Sequence, residues 1–89
     1  MSAKIQLQKD VYKFLCDLPS RSIFFRTGPG IFGIVNDEFI FMLIITDDRK
    51  LTRSEFSLAS KVESCNGYFY IVGNIDDVHL VAKENGWWD

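Results

Sequence analysis

The chain has 89 residues, 47% of them hydrophobic and 15% aromatic, and a formal net charge of −2. Such a length allows one domain around one core, here residues 1–89, and such a composition excludes a disordered chain. The small net charge gives no strong pull toward nucleic acid or an anionic membrane.

The charge is nevertheless uneven: residues 1–53 hold eight Lys/Arg and six Asp/Glu, whereas residues 54–89 hold only Lys61 and Lys83 against six acids. Two cysteines, Cys16 and Cys65, are too few for a disulfide framework. Both fall on or beside the apolar side of a predicted helix, so they read as reduced core thiols of a cytoplasmic protein. The start of the chain, "MSAKIQLQKD", lacks a signal-peptide core, and no stretch reaches transmembrane length.

In residues 4–17 the apolar side chains Ile5, Leu7, Val11, Phe14 and Leu15 recur at mostly three- and four-residue steps, which predicts an amphipathic helix ended by Pro19-Ser20. "SIFFR", residues 22–26, reads as a short strand, and "TGPG", residues 27–30, as a turn. "IFGIV" and "FIFMLIIT" flank "NDE" and predict a hairpin. Seven successive apolar residues from Phe39 to Ile45 imply a strand covered on both faces. Thr52 and Glu55 form a capping-box pattern for a helix from about Arg53, with Leu58, Ala59, Val62 and Cys65 as its buried stripe and Asn66-Gly67 at its end. "YFYIV", residues 68–72, reads as an interior strand. Asn74 caps a last helix with Asp76 and Asp77 in its first turn, Val78, Val81 and Ala82 inward, and Gly86 as its stop. The expected fold is α/β, a single mixed sheet of about four strands in the order αβββαβα with helices on both faces; the two strands joined by the crossover helix should run parallel.

That order is the core of the PD-(D/E)xK, or restriction-endonuclease-like, nucleases. The stretch "LTRSEFSLASKVESCNGYFYIVGNIDDVHLV" resembles the end of the virus-type replication-repair nuclease (VRR-Nuc) domains, and "FFRTGPG" is similar to their Arg- and Gly-containing segment. The likeness spans roughly residues 5–84. It implies a phage or mobile-element setting linked to DNA transactions, and a site in which carboxylates hold Mg²⁺ and a lysine offsets phosphate charge. In the family the acid-x-Lys element lies about six residues before the Leu that opens the next helix. Counting back from Leu51 puts Ile45 at the lysine position and Leu43 at the acid position. Neither aliphatic side chain can perform the chemistry, so the resemblance implies a degenerate active site.

A rival alignment takes Asp37, Asp48 and Lys50 as a shifted Mg²⁺ site, but a hairpin turn at Asp37 and a strand end before Asp48 would hold those acids far apart. His79 reads as a surface residue, and no Cys/His cluster has zinc spacing. The Gly-x-Gly-x-x-Gly at Gly28, Gly30 and Gly33 lacks the following helix of a dinucleotide site. The expected function is therefore a catalytically degenerate nuclease-like domain without a cofactor, acting through protein contacts. Tyr12, Tyr68, Tyr70, Trp87 and Trp88 are the interface candidates and a homodimer the simplest partnership. The alternative is a non-cleaving DNA binder using Arg21, Arg26, Arg49, Lys50 and Arg53.

Overall fold

The computed structural model describes residues 3–47 and 49–87. Its elements are α1 (Ala3–Cys16), β1 (Ser22–Arg26), β2 (Gly30–Val35), β3 (Glu38–Ile44), α2 (Arg53–Ser64), β4 (Tyr68–Val72) and α3 (Ile75–Glu84). The strands form one sheet in the order β1-β2-β3-β4. β1, β2 and β3 are an antiparallel meander, and β4 runs parallel to β3. The predicted class and element order hold.

One correction concerns β4. Its unbroken apolar run reads as an interior strand, yet it lies at the sheet edge, with Tyr68 and Ile71 about half exposed. The run is apolar because β4 needs one side chain set for α3 and another for α2, not because strands flank it on both sides. β2 and β3 are the interior strands, and residues Ile40 to Ile44 of β3 are all buried.

Helices α1 and α3 share one face. There Val11, Leu15, Phe24, Ile31, Ile40, Met42, Ile44, Val72, Val78 and Trp87 make the larger core. Helix α2 packs over β4 on the other face, where Phe41, Leu43, Ile45 and Val62 make a smaller cluster with Phe32, Phe39 and Leu58 at its margin.

Local chemistry fixes the ends. Thr52 accepts from the Glu55 N–H while the Glu55 carboxylate accepts from the Thr52 N–H, the reciprocal box expected from the sequence. Helix α2 stops with Asn66 in the left-handed region (φ 61°), its N–H reaching the Glu63 carbonyl and that of Gly67 the Val62 carbonyl. Helix α3 ends in the same way, with Gly86 at φ 69° and the Trp87 N–H on the Ala82 carbonyl. That geometry turns Trp87 into the core, where it is 3% exposed, and its carbonyl accepts the Ser20 hydroxyl. The link between β2 and β3 is Asn36-Asp37, with φ of 50° and 70°, a two-residue turn whose twist matches that of the strands.

Both cysteines are exposed, which corrects their reading as core thiols. Cys16 sits one step past buried Leu15, about 100° round the helix, and Cys65 is the C-cap of α2.

The buried side of α1 holds a polar residue instead. Gln8 is 7% exposed, and its Nε2 donates to the Thr27 carbonyl at 2.6 Å and the Gly30 carbonyl at 2.9 Å. The amide thus ties α1 to the β1–β2 turn. Gln8→Ala leaves the Thr27 carbonyl without this donor and is expected to cost about 2 kcal/mol, a fall of about 10 °C in the thermal midpoint of a domain this size.

Candidate functional site

Among the described residues, a cleft and an open sheet face stand out as candidate surfaces. The cleft, of about 750 Å³, lies at the carboxyl ends of the parallel pair β3 and β4, between the 45–52 loop and the start of α3. This is where α/β sheets place ligands. Thr46, Asp47, Lys50, Phe56, Ile71 and Asn74 are among its walls. Its charged groups are largely engaged. The Asp77 carboxylate accepts the Gly73 N–H at 2.8 Å. The Arg49 guanidinium holds Glu55 through both nitrogens, at 2.6 and 2.8 Å, and lies 3.5 Å from Asp47.

The Arg49 fork, helped by the Thr52 N–H, lowers the Glu55 carboxyl to about 2 from its ordinary 4.5. A depressed folded-state value means that this stabilisation is fully present above pH 4.5 and is lost as pH falls through about 2. In urea unfolding, wild type should therefore exceed Glu55→Gln in stability at neutral pH, and the gap should close across that acid window.

The positions matching the nuclease acid and lysine are inside the protein. Leu43 is 0% exposed and Ile45 is 8% exposed, and both belong to the cluster beneath α2. Asp37 and Lys50 lie beyond opposite ends of β3, a strand of seven residues about 23 Å long. Asp48 lies outside the described residues. Among the described residues, no three His, Cys, Asp or Glu side chains gather in a way that could hold a metal ion.

The five basic candidates are divided. Arg21 is at the hairpin end of the sheet, 3.0 Å from Asp37, both side chains more than four-fifths exposed. Arg26 is at the far end of β1, about 17 Å away along the strand, and its Nε donates to Gln8. Arg49 is held by Glu55, while Lys50 and Arg53 are exposed near it. The five do not form one cationic stripe. His79 is exposed on α3 and stacks on Phe14, with ring centroids 4.4 Å apart.

Of the aromatic candidates, Trp87 is core and Trp88 lies outside the described residues. Tyr70 is half-buried, edge-on to Trp87 at 6.3 Å, and burial raises its phenol. Tyr12 is half-buried beside the Cys16 thiol, whose hydrogen bond raises its phenol. Tyr68 is openly exposed.

The open sheet face is built from other residues. On the α2 side, Ile23 pairs across the strands with Ile34, and Phe25 with Phe32. Ile23 is 53%, Phe25 46% and Ile34 48% exposed. The Phe25 and Phe32 rings stack at 5.1 Å, and Phe32 meets Phe39 edge-on at 6.3 Å, so the surface runs unbroken to the margin of α2. The cause is a shortage of cover. A helix is about 10 Å across and strands lie about 4.8 Å apart, so one helix covers about two strands. Two helices suffice for the other face; α2 alone leaves β1 and the Ile34 end of β2 bare. The signal was present in the sequence, as one crossover helix set against apolar side chains of both parities in "SIFFR".

Among the described residues no helix is long and apolar enough to cross a membrane. Comparison with protein-family models, with curated proteins and with solved structures finds no match.

Proposed function

We propose that this domain is a protein-interaction or regulatory module on a nuclease-like sheet, not a working nuclease. The bare apolar patch of Ile23, Phe25 and Ile34, continued by half-buried Phe32, carries this reading. Contiguous exposed apolar surface on a small domain marks a binding surface, and it includes aromatic side chains of the kind enriched in interface cores. Leu43 and Ile45 support it from the other side. Leu43 is buried beneath α2 and Ile45 lines the cleft, and neither aliphatic side chain can hold Mg²⁺ or offset phosphate charge. The resemblance to virus-type replication-repair nucleases suggests a phage or mobile element as the setting and DNA transactions as the process regulated.

The test uses purified protein with single-stranded and branched DNA in Mg²⁺ or Mn²⁺, and a gel-shift series at rising salt. The expected result is intact DNA and no salt-sensitive retention. Cleavage abolished by Lys50→Ala would establish the shifted nuclease site instead. Retention that falls with salt and with Arg53→Ala would establish the DNA-binding alternative.

A further inference from the structure

β1 is the edge of the sheet opposite β4, and it lacks the devices that normally protect an edge: no proline and no bulge, and a single charge, Arg26, at its end. Its hydrogen-bonding pattern can be read from its two ends. The Asn36 N–H donates to the Arg21 carbonyl and the Thr27 N–H to the Gly30 carbonyl. In an antiparallel ladder alternate residues bond to the same neighbour. Residues 21, 23, 25 and 27 therefore face β2, and the backbone groups of Ser22, Phe24 and Arg26 face outward.

We propose that β1 pairs antiparallel with β1 of a second copy about a two-fold axis at Phe24, joining two four-stranded sheets into one. The proposal deepens the interaction-module reading above and rests on it. Three features select a second copy as the occupant. First, the outward groups are symmetric about Phe24. Phe24 meets the partner's Phe24, Ser22 meets the partner's Arg26, and Arg26 meets the partner's Ser22, each pair exchanging both N–H···O bonds. Second, the intervening close pairs set Ile23 beside the partner's Phe25 and Phe25 beside the partner's Ile23, so side chains half exposed in one copy cover each other. Third, no like charges stand opposite: each Arg26 faces a serine. The interface is isologous and closes at two copies.

Sedimentation across micromolar to millimolar concentrations should show a monomer–dimer equilibrium. Phe25→Glu should raise the dissociation constant about 100-fold. Ser22→Pro should do the same for a different reason: it removes an outward donor and no bond of the β1–β2 ladder, so circular dichroism should be unchanged. A register test needs no loss of function. In a background with Cys16→Ser and Cys65→Ser, the pair Ser22→Cys and Arg26→Cys should form a covalent dimer on mild oxidation, because these positions oppose each other across the axis and stand too far apart within one strand. A wild type that stays monomeric, a dimer indifferent to both substitutions, growth beyond two copies, or failure of the cysteine pair to cross-link would each overturn the proposal. DNA cleavage by an intact dimer would sink the interaction-module reading and leave the dimer standing; a monomer that leaves DNA intact would sink the dimer alone.

Discussion

Gly30→Ala is expected to leave the protein unfolded at room temperature. A Cβ at this position would lie 1.9 Å from the Met42 carbonyl oxygen, 3.0 Å from its carbon and 3.2 Å from the Leu43 Cα. All three are backbone atoms of the central strand, so no side chain can swing aside. Relief requires β2 to separate from β3 where Gly30 also accepts the Gln8 amide and the Thr27 N–H. The cost should well exceed about 4 kcal/mol, enough to consume the roughly 5 kcal/mol at the low end for a domain of this size. Gly28→Ala is the control. Nothing lies within 4 Å of a Cβ there and its φ is not positive, so the change should be neutral or stabilise by about 0.5 kcal/mol. Thermal melts followed by circular dichroism separate the two; a folded Gly30→Ala protein with a normal melt would refute the close approach of β2 to β3.

Writing the nuclease residue types back into the central strand should destroy the fold, not restore an enzyme. Leu43→Glu puts a carboxylate at a fully buried site between Gly30 on β2 and Ile71 on β4. Loss of the leucine alone costs about 2–5 kcal/mol, and an unpaired buried charge adds several more. Ile45→Lys in the same chain compounds the loss. The direction with pH is diagnostic. Burial would raise the introduced carboxyl above its unfolded value, so the penalty is largest at neutral pH and shrinks as pH falls and the group is protonated. Leu43→Glu should thus unfold near pH 7 and regain some structure in mild acid. A stable variant at neutral pH would mean that the position opens to solvent or to a cation, and the degenerate-site reading would fail.

Much of the architecture can be read from the residues because each signal has one dominant cause. Thr52 with Glu55, Asn74 with Asp77, and the Asn66 and Gly86 stops are local backbone chemistry, and all are found where the sequence puts them. The two-sided burial of β3 follows from its unbroken apolar run. What escapes the sequence depends on the count of layers. Nothing local to "YFYIV" distinguishes an edge from an interior strand; that follows only from how many strands there are. Gln8 carries no signal in the sequence because its partners, the Thr27 and Gly30 carbonyls, lie 19 and 22 residues away. Trp87 reads as an interface candidate, not as core, because the turn that carries it inward depends on Gly86. The candidate site is least legible of all. Side chains of one type, large and apolar, fill both the sealed positions Leu43 and Ile45 and the bare positions Ile23 and Phe25, and only the reach of α2 separates them.

The Asn36-Asp37 turn has a further consequence. A strand with polar and apolar residues in alternation sets its own register, since a slip by one residue drives its greasy side into water. β3 has no such safeguard: Phe39 to Ile44 would be apolar on either side after a slip. The task of keeping the strand in phase therefore passes to two residues outside it. Lengthening that link by a single residue would exchange the side chains offered to α1 and α3 with those offered to α2, leaving a strand as hydrophobic as before but packed against the wrong partners.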